Sequence, residues 1–245
     1  MELKVEIKHH AEIQRLICRY PCFSFLKKSP FPIDSTHEWT TNSGYWHYRN
    51  QKTYHLQVMM IGKTGYGKST TLNKIIGRNA FKTSDVSACT KDLYNAMYRI
   101  NASKSTFFVL SDLPGVGESN YADQHYYEWY QQMLQYSDVV VYLLRADQRD
   151  FAVDEVIFSS LFQEEHREKV ILALNYADKI EPINRQDGLS SEQKKSLEKK
   201  LNHVSKLFDM PKDSILYYSA ADGINLDALM NAIAQKLKKR LNYFE

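Results

Sequence analysis

Residues 62–70 read Gly-Lys-Thr-Gly-Tyr-Gly-Lys-Ser-Thr, directly after the apolar run Leu56–Ile61. This is G-x-x-x-x-G-K-[ST], the pattern with which a backbone wraps phosphate, in the strand–turn–helix context it requires. Glycines let successive N–H groups face one anion. A helix starting near Lys68 points its positive end at the same place. In this reading Gly62, Lys63, Thr64, Gly65, Tyr66, Gly67, Lys68, Ser69 and Thr70 cradle phosphates. Lys68 reaches the β- and γ-phosphates of a nucleoside triphosphate, and Ser69 binds Mg²⁺.

Other stretches select the nucleotide. Asp112-Leu113-Pro114-Gly115 follows the apolar run Thr106–Ser111. An aspartate at a strand end can hold Mg²⁺, usually through water. Gly115 lets a backbone N–H approach a γ-phosphate, in a loop that is ordered while that phosphate is present. Taken alone, Asp-x-Pro-Gly also reads as a β-turn. Asn175-Tyr176-Ala177-Asp178 follows Val170–Leu174. The Asp178 carboxylate can accept from guanine N1–H and the exocyclic amine. Adenine has no such donors, so a buried carboxylate would go unpaired against it. Ser219-Ala220 closes the last apolar run, where a backbone N–H can meet guanine O6. Thr90 lies between the first helix and the second strand, placed to close over Mg²⁺ and the γ-phosphate; Thr83, Ser84 and Ser87 compete for that role. The expected catalytic set is Lys68, Thr90 and Gly115, and the metal set is Ser69, Thr90 and Asp112. No side chain is a convincing general base, so catalysis rests on positioning and charge neutralisation.

These groups need a scaffold that gathers strand ends. Strand candidates are 55–61, 93–100, 106–111, 139–144, 170–175 and 215–219; helical candidates between them are 68–77, 123–136, 153–165, 191–208 and 226–243. Alternation of this kind predicts an α/β fold, a mostly parallel six-stranded sheet with helices on both faces and one antiparallel edge strand. Ligands of such sheets bind beyond the carboxyl ends of the strands. Residues 1–54 lack a sustained period and read as an N-terminal extension with a short helix near 11–20; residues 55–245 form the nucleotide-binding unit. The net charge of +3 forces no nucleic-acid or membrane partner, and no DNA sequence recognition is expected. The N-terminus lacks the apolar core of a signal peptide. Cys18, Cys22 and Cys89 form no disulfide or metal framework, and Cys18 and Cys22 read as buried thiols, which fits a reducing cytoplasm.

In order, the P-loop, Thr90, Asp112–Gly115, Asn175–Asp178 and Ser219–Ala220 resemble the five G motifs of translation-factor-class GTPases. The stretch Gly62–Gly77 also looks like the septin-related branch of immunity-associated and chloroplast-import GTPases. Ser84-Asp-Val-Ser-Ala-Cys-Thr-Lys, Asp112-Leu-Pro-Gly-Val-Gly-Glu-Ser, Arg145-Ala-Asp-Gln-Arg and Asn175-Tyr-Ala-Asp-Lys-Ile-Glu-Pro look closer still to bacterial Era-like GTPases of prophages and mobile elements. The resemblance covers about residues 55–245 and implies a G domain, GTP and GDP as ligands, Mg²⁺, and a switch between nucleotide states. Val116 stands where Ras-like enzymes carry a water-orienting glutamine, which implies slow turnover completed by a partner or a nucleotide-dependent homodimer. Gly65 stands where potassium-activated relatives carry asparagine, and Tyr176 replaces the lysine that packs over the base. Arg145, Asp147 and Arg149 follow the fourth strand and read as a solvated charged loop, the alternative being an arginine that crosses a dimer to the other nucleotide. The partner is an unidentified protein, a ribosome or a membrane. The tyrosines of 121–136 read as core contacts first and a partner surface second, and the Lys-rich last helix as a core face with a solvated one, RNA or acidic lipid being the alternative.

Overall fold

The chain opens with β1 (Val5–Glu12), α1 (Ile13–Arg19) and a 3₁₀ segment, Pro21–Lys27. Three two-residue strands follow: β2 (His37–Glu38), β3 (His47–Tyr48) and β4 (Gln51–Lys52). The alternating part then runs β5 (Tyr54–Ile61), α2 (Lys68–Ile76), β6 (Leu93–Asn101), β7 (Thr106–Asp112), α3 (Asn120–Leu134) and β8 (Val139–Arg145). It continues with α4 (Ala152–Leu161), α5 (Glu164–Arg167), β9 (Val170–Asn175), α6 (Ser191–Leu207), β10 (Ile215–Tyr217) and α7 (Leu226–Arg240). This computed structural model describes residues 5–27, 37–38, 47–48, 51–52, 54–83, 90, 92–101, 106–116, 120–183 and 188–241, without the side chains of 37–38, 47–48, 51–52, 54, 101 and 120–123.

The main sheet has the order β1-β6-β7-β5-β8-β9-β10, with β2 beside the start of β5. Strands β7, β5, β8, β9 and β10 are parallel. Their near-continuous apolar sequences suit burial on both faces: every residue of β7 and β9 is buried, as are Leu56–Ile61 and Val139–Leu144. All six expected strands are present. The expected count falls short by β1, which pairs in parallel with β6, and by the two-residue β2, which pairs antiparallel with β5. The antiparallel strand β6 is therefore interior, and β1 forms that edge.

The segment before residue 28 is tied into the core. Ile13, Leu16 and Ile17 recur at helical spacing and are buried; Phe23 packs on Phe108 with ring centroids 5.2 Å apart. β1 escapes detection because an edge strand tolerates charge: Glu6 and Lys8 alternate with inward His9 and Ala11. Of the cysteines, Cys18 is exposed and Cys22 half-buried, so neither is the fully buried thiol expected; Cys89 lies outside the described residues.

His9 makes this edge acid-sensitive. It is 5% exposed, and its Nδ1 has no hydrogen-bond partner. Burial first, then Arg78, Arg15 and His10, push its pKa down from 6.5 to about 4. A histidine neutral when folded but protonated when unfolded keeps its full contribution above pH 6.5 and loses it as pH falls through about 4. At about 1.4 kcal/mol per unit, the loss is on the order of 3 kcal/mol. Thermal melts of His9→Leu should fall less steeply than wild type between neutral pH and about pH 4. Parallel profiles would remove His9 from the acid response.

Candidate functional site

β5 ends at Ile61, and the chain turns through Gly62, Gly65 and Gly67 at φ +141°, +80° and +85°. Gly67 is doubly required: besides its left-handed φ, a Cβ there would lie 2.3 Å from Asn175 Nδ2. α2 starts at the next residue, Lys68, whose ammonium donates to the Gly62 and Lys63 carbonyls at 3.0 and 3.1 Å. The loop after β7 is stitched to this turn. Thr64 N donates to Val116 O at 2.9 Å, and Thr64 Oγ1 to Gly115 O at 3.0 Å. A Cβ on Gly115 would meet Thr64 N at 2.5 Å and Lys68 Nζ at 2.6 Å.

The three expected metal residues converge. Ser69 Oγ donates to Asp112 Oδ2 at 2.6 Å, Thr90 Oγ1 to the same oxygen at 3.2 Å, and the two hydroxyls are 3.2 Å apart. Of the competing residues, Thr83 is exposed, whereas Ser84 and Ser87 lie outside the described residues. Asp112 is fully buried, and its Oδ1 has no hydrogen-bond partner. Burial pushes its pKa up; the Lys68 charge and the Ser69 and Thr90 hydrogen bonds oppose the rise. An unpaired carboxylate oxygen beside two hydroxyls is a fitting donor set for a hard cation such as Mg²⁺.

Asn175 acts as a brace. Its Nδ2 donates to Tyr66 O at 3.0 Å, and its Oδ1 accepts from Ala220 N at 3.0 Å. The Ala220 N–H, expected to meet guanine O6, is thus directed at Asn175; the Ser219 hydroxyl accepts from Asp222 N. Asp178 is half-buried, and its Oδ1 is shielded without a partner. Tyr176 adopts φ +61° and donates through its hydroxyl to Gly65 O at 2.9 Å. The Arg145 guanidinium lies 4.2 Å from the Tyr176 ring centroid and is gripped by Asp147 at 3.0 and 2.7 Å. Of the two arginines in that loop, Arg145 is held and Arg149 is exposed.

A second brace has only half its signal in the sequence. Tyr66 Oη shares its one proton between Asp154 Oδ2 at 2.9 Å and Gln148 Oε1 at 2.5 Å; Tyr142 Oη reaches Asp154 Oδ1 at 3.3 Å. Asp154 is fully buried in the first turn of α4, and burial raises its pKa. The tyrosine in the phosphate loop is visible in the sequence; its carboxylate partner, 88 residues away, is not.

Val116 is 3% exposed. Val116→Gln should therefore supply no water-orienting amide. It would bury an unpaired one at about 1–3 kcal/mol, or a Tm drop on the order of 5 °C. Phosphate release should not rise; a faster rate would show that this side chain does reach solvent.

The tyrosines of α3 divide as core contacts should: Tyr126 and Tyr130 are buried, Tyr127 half-buried, and Tyr130 donates to Pro114 O in the loop beside the site. The side chain of Tyr121 lies outside the described residues. In α7, Leu229, Ile233 and Leu237 are buried, while Lys239 pairs with Glu168 and Arg240 lies 3.7 Å from Asp138. No described helix is long and apolar enough to cross a membrane.

Comparison with known proteins agrees with this geometry. Residues 57–176 match the family described as 50S ribosome-binding GTPase. The uncharacterized protein YfjP of Escherichia coli K12 is 35% identical over 160 residues, covering 65% of this chain and 55% of that protein. GTPase Era of Ureaplasma urealyticum is 27% identical over 183 residues, 74% of this chain and 55% of Era. The chain thus spans about half the length of these relatives. Toc33 from Arabidopsis thaliana, solved with Mg²⁺ and GMPPNP, shares the fold with a TM-score of 0.59 at 20% identity, covering 92% of both chains. The P-loop, the Ser69–Thr90–Asp112 cluster and Asn175 all stand inside residues 57–176, the segment that matches the ribosome-binding GTPase family, and the similarity to Era runs beyond it.

Proposed function

We propose that residues 55–245 form a Mg²⁺-dependent guanine-nucleotide switch that hydrolyses GTP slowly to GDP and phosphate, with residues 1–54 an extension of it. One observation carries this reading. Two shielded carboxylate oxygens without partners, Asp112 Oδ1 and Asp178 Oδ1, stand in the two motifs expected to receive the cation and the base. Both motifs are held to the same phosphate loop, one through Thr64, the other through Asn175 and Tyr176.

Each residue then has a task. Residues Gly62–Thr70 wrap the phosphates with backbone N–H groups, and Lys68 turns its ammonium from loop carbonyls to phosphate oxygens. Ser69 and Thr90 hold Mg²⁺, with Asp112 behind them; the ion supplies charge neutralisation at the β- and γ-phosphates. Gly115 brings its N–H to the γ-phosphate. Asp178 reads guanine, the Tyr176 ring stacks beside the base, and Ser219–Ala220 offers O6 a shared backbone donor. Toc33 crystallised with Mg²⁺ and GMPPNP supports this ligand pair.

Turnover is slow because Val116, which stands in place of a water-orienting glutamine, is buried and carries no polar group. Completion by a second copy or by a protein, ribosomal or membrane partner in the cytoplasm follows, with exposed Arg149 the loop's available arginine. The buried Val116 also favours a second reading, a nucleotide-gated interaction module with negligible turnover. Phosphate release per mole, measured across a wide range of protein concentrations, separates the two. A specific rate that climbs supports completion by self-association. A rate at background throughout supports the gated module and counts against turnover.

A further inference from the structure

Arg19 in α1 and Lys74 in α2 stand 55 residues apart, and Arg78 follows α2. They meet at one place. Each donates to a backbone carbonyl: Arg19 Nη2 to Lys74 O at 3.1 Å, Lys74 Nζ to Ala221 O at 2.9 Å, and Arg78 Nη2 to Lys8 O at 3.3 Å. Among the described residues none of the three forms an ion pair with a carboxylate. The carbonyl bonds fix the side chains without cancelling their charge. Together with Thr70, Thr83 and Ala221 they line a groove of about 590 Å³.

Capping of α2 explains only part of this. A helix C-terminus presents roughly half a negative charge, which one cation satisfies. Three full positive charges leave a surplus. Guanidinium forks, an ammonium and hydroxyl donors are the groups that recognise phosphate. Thr70, the last residue of the phosphate loop, and Ala220 of the motif Ser219–Ala220 also line the groove, so it borders the nucleotide site, while Arg19, Lys74 and Arg78 lie outside those motifs.

We propose that this groove is a second anion site, which takes phosphate groups of a ligand other than the nucleotide held by Gly62–Thr70. Only its adjacency to a bound nucleotide rests on the function proposed above. Two sources share this chemistry: a small phosphate compound and the phosphodiester backbone of RNA. The site gives the N-terminal segment a role, because Arg19 is its contribution.

The test is calorimetric titration with pyrophosphate, then with a short oligouridylate. One sample is full-length protein saturated with GDP and Mg²⁺; the other is the Lys68→Ala variant without nucleotide. Pyrophosphate should bind both. Lys74→Gln combined with Arg78→Gln should weaken it at least tenfold in each background, with GDP affinity unchanged. If RNA is the source, oligouridylate binds more tightly than pyrophosphate, with a salt slope of about 0.7 per phosphate contacted. If the source is a small compound, only pyrophosphate binds. No binding of either probe, or binding that the double variant leaves unchanged, overturns the site. Loss of GDP binding by wild type, with pyrophosphate binding still dependent on Lys74 and Arg78, would instead count against the nucleotide reading and leave the groove standing.

Discussion

Asp178→Asn is expected to weaken GTP binding roughly 100-fold or more and to turn preference toward xanthosine triphosphate. The carboxylate accepts two hydrogen bonds from guanine, each charge-assisted and worth about 1.5–3 kcal/mol. In the amide one acceptor becomes a donor, which then faces the exocyclic amine, donor against donor. Xanthine carries a carbonyl there and accepts it. The fold should tolerate the change, because among the described residues the hydrogen bond at Asp178 goes to its backbone carbonyl, from Gln193 Nε2 at 3.1 Å. Displacement of a fluorescent GDP analogue by GTP and by XTP reads both effects. Unchanged GTP affinity would remove Asp178 from base recognition.

Asp112→Asn should act in two directions at once. In the nucleotide-free protein it should raise stability, because a fully buried carboxylate with an unpaired oxygen is replaced by a neutral group of the same shape. The sign follows from the raised pKa: the folded state binds the proton more tightly, so its stability is full below the ordinary 3.8 and declines as pH rises through the raised value. A gain of about 1 kcal/mol corresponds to a Tm increase on the order of 3 °C. In the nucleotide complex the same change should lower Mg²⁺ affinity about 10–100-fold, the usual cost of altering a group behind the metal ligands. A lower Tm with undiminished Mg²⁺ dependence would contradict the assignment.

The chemistry was legible wherever it resides in contiguous residues. Gly62–Thr70 declares its ligand because a phosphate cradle is built from one turn and one helix start, and β5 and α2 flank it as expected. Strands β8 and β9 were legible because a parallel strand buried on both faces is a continuous apolar run. Thr90 could only be shortlisted from sequence, since its meeting with Ser69 and Asp112 depends on how the chain returns after α2. β1 was missed because half of an edge strand faces water, and Glu6, Lys8 and His10 hide the period. The Tyr66–Asp154 brace and the Arg19–Lys74–Arg78 groove were illegible for a common reason. Their members are far apart in sequence and carry no pattern of their own. Asn175 stands in the motif expected to select the base, and its two hydrogen bonds hold Tyr66 and Ala220 together, which no residue spacing announces.

The central claim is that this phosphate loop belongs to a guanine-selective, Mg²⁺-dependent site. Titration of nucleotide-free protein with GDP and with ADP, each with Mg²⁺, tests it directly. The account predicts one GDP bound per chain, weakened by chelating the metal, with ADP at least ~100-fold weaker because Asp178 then has no donor to accept from. Equal affinities for the two nucleotides, or GDP binding indifferent to Mg²⁺, would contradict it.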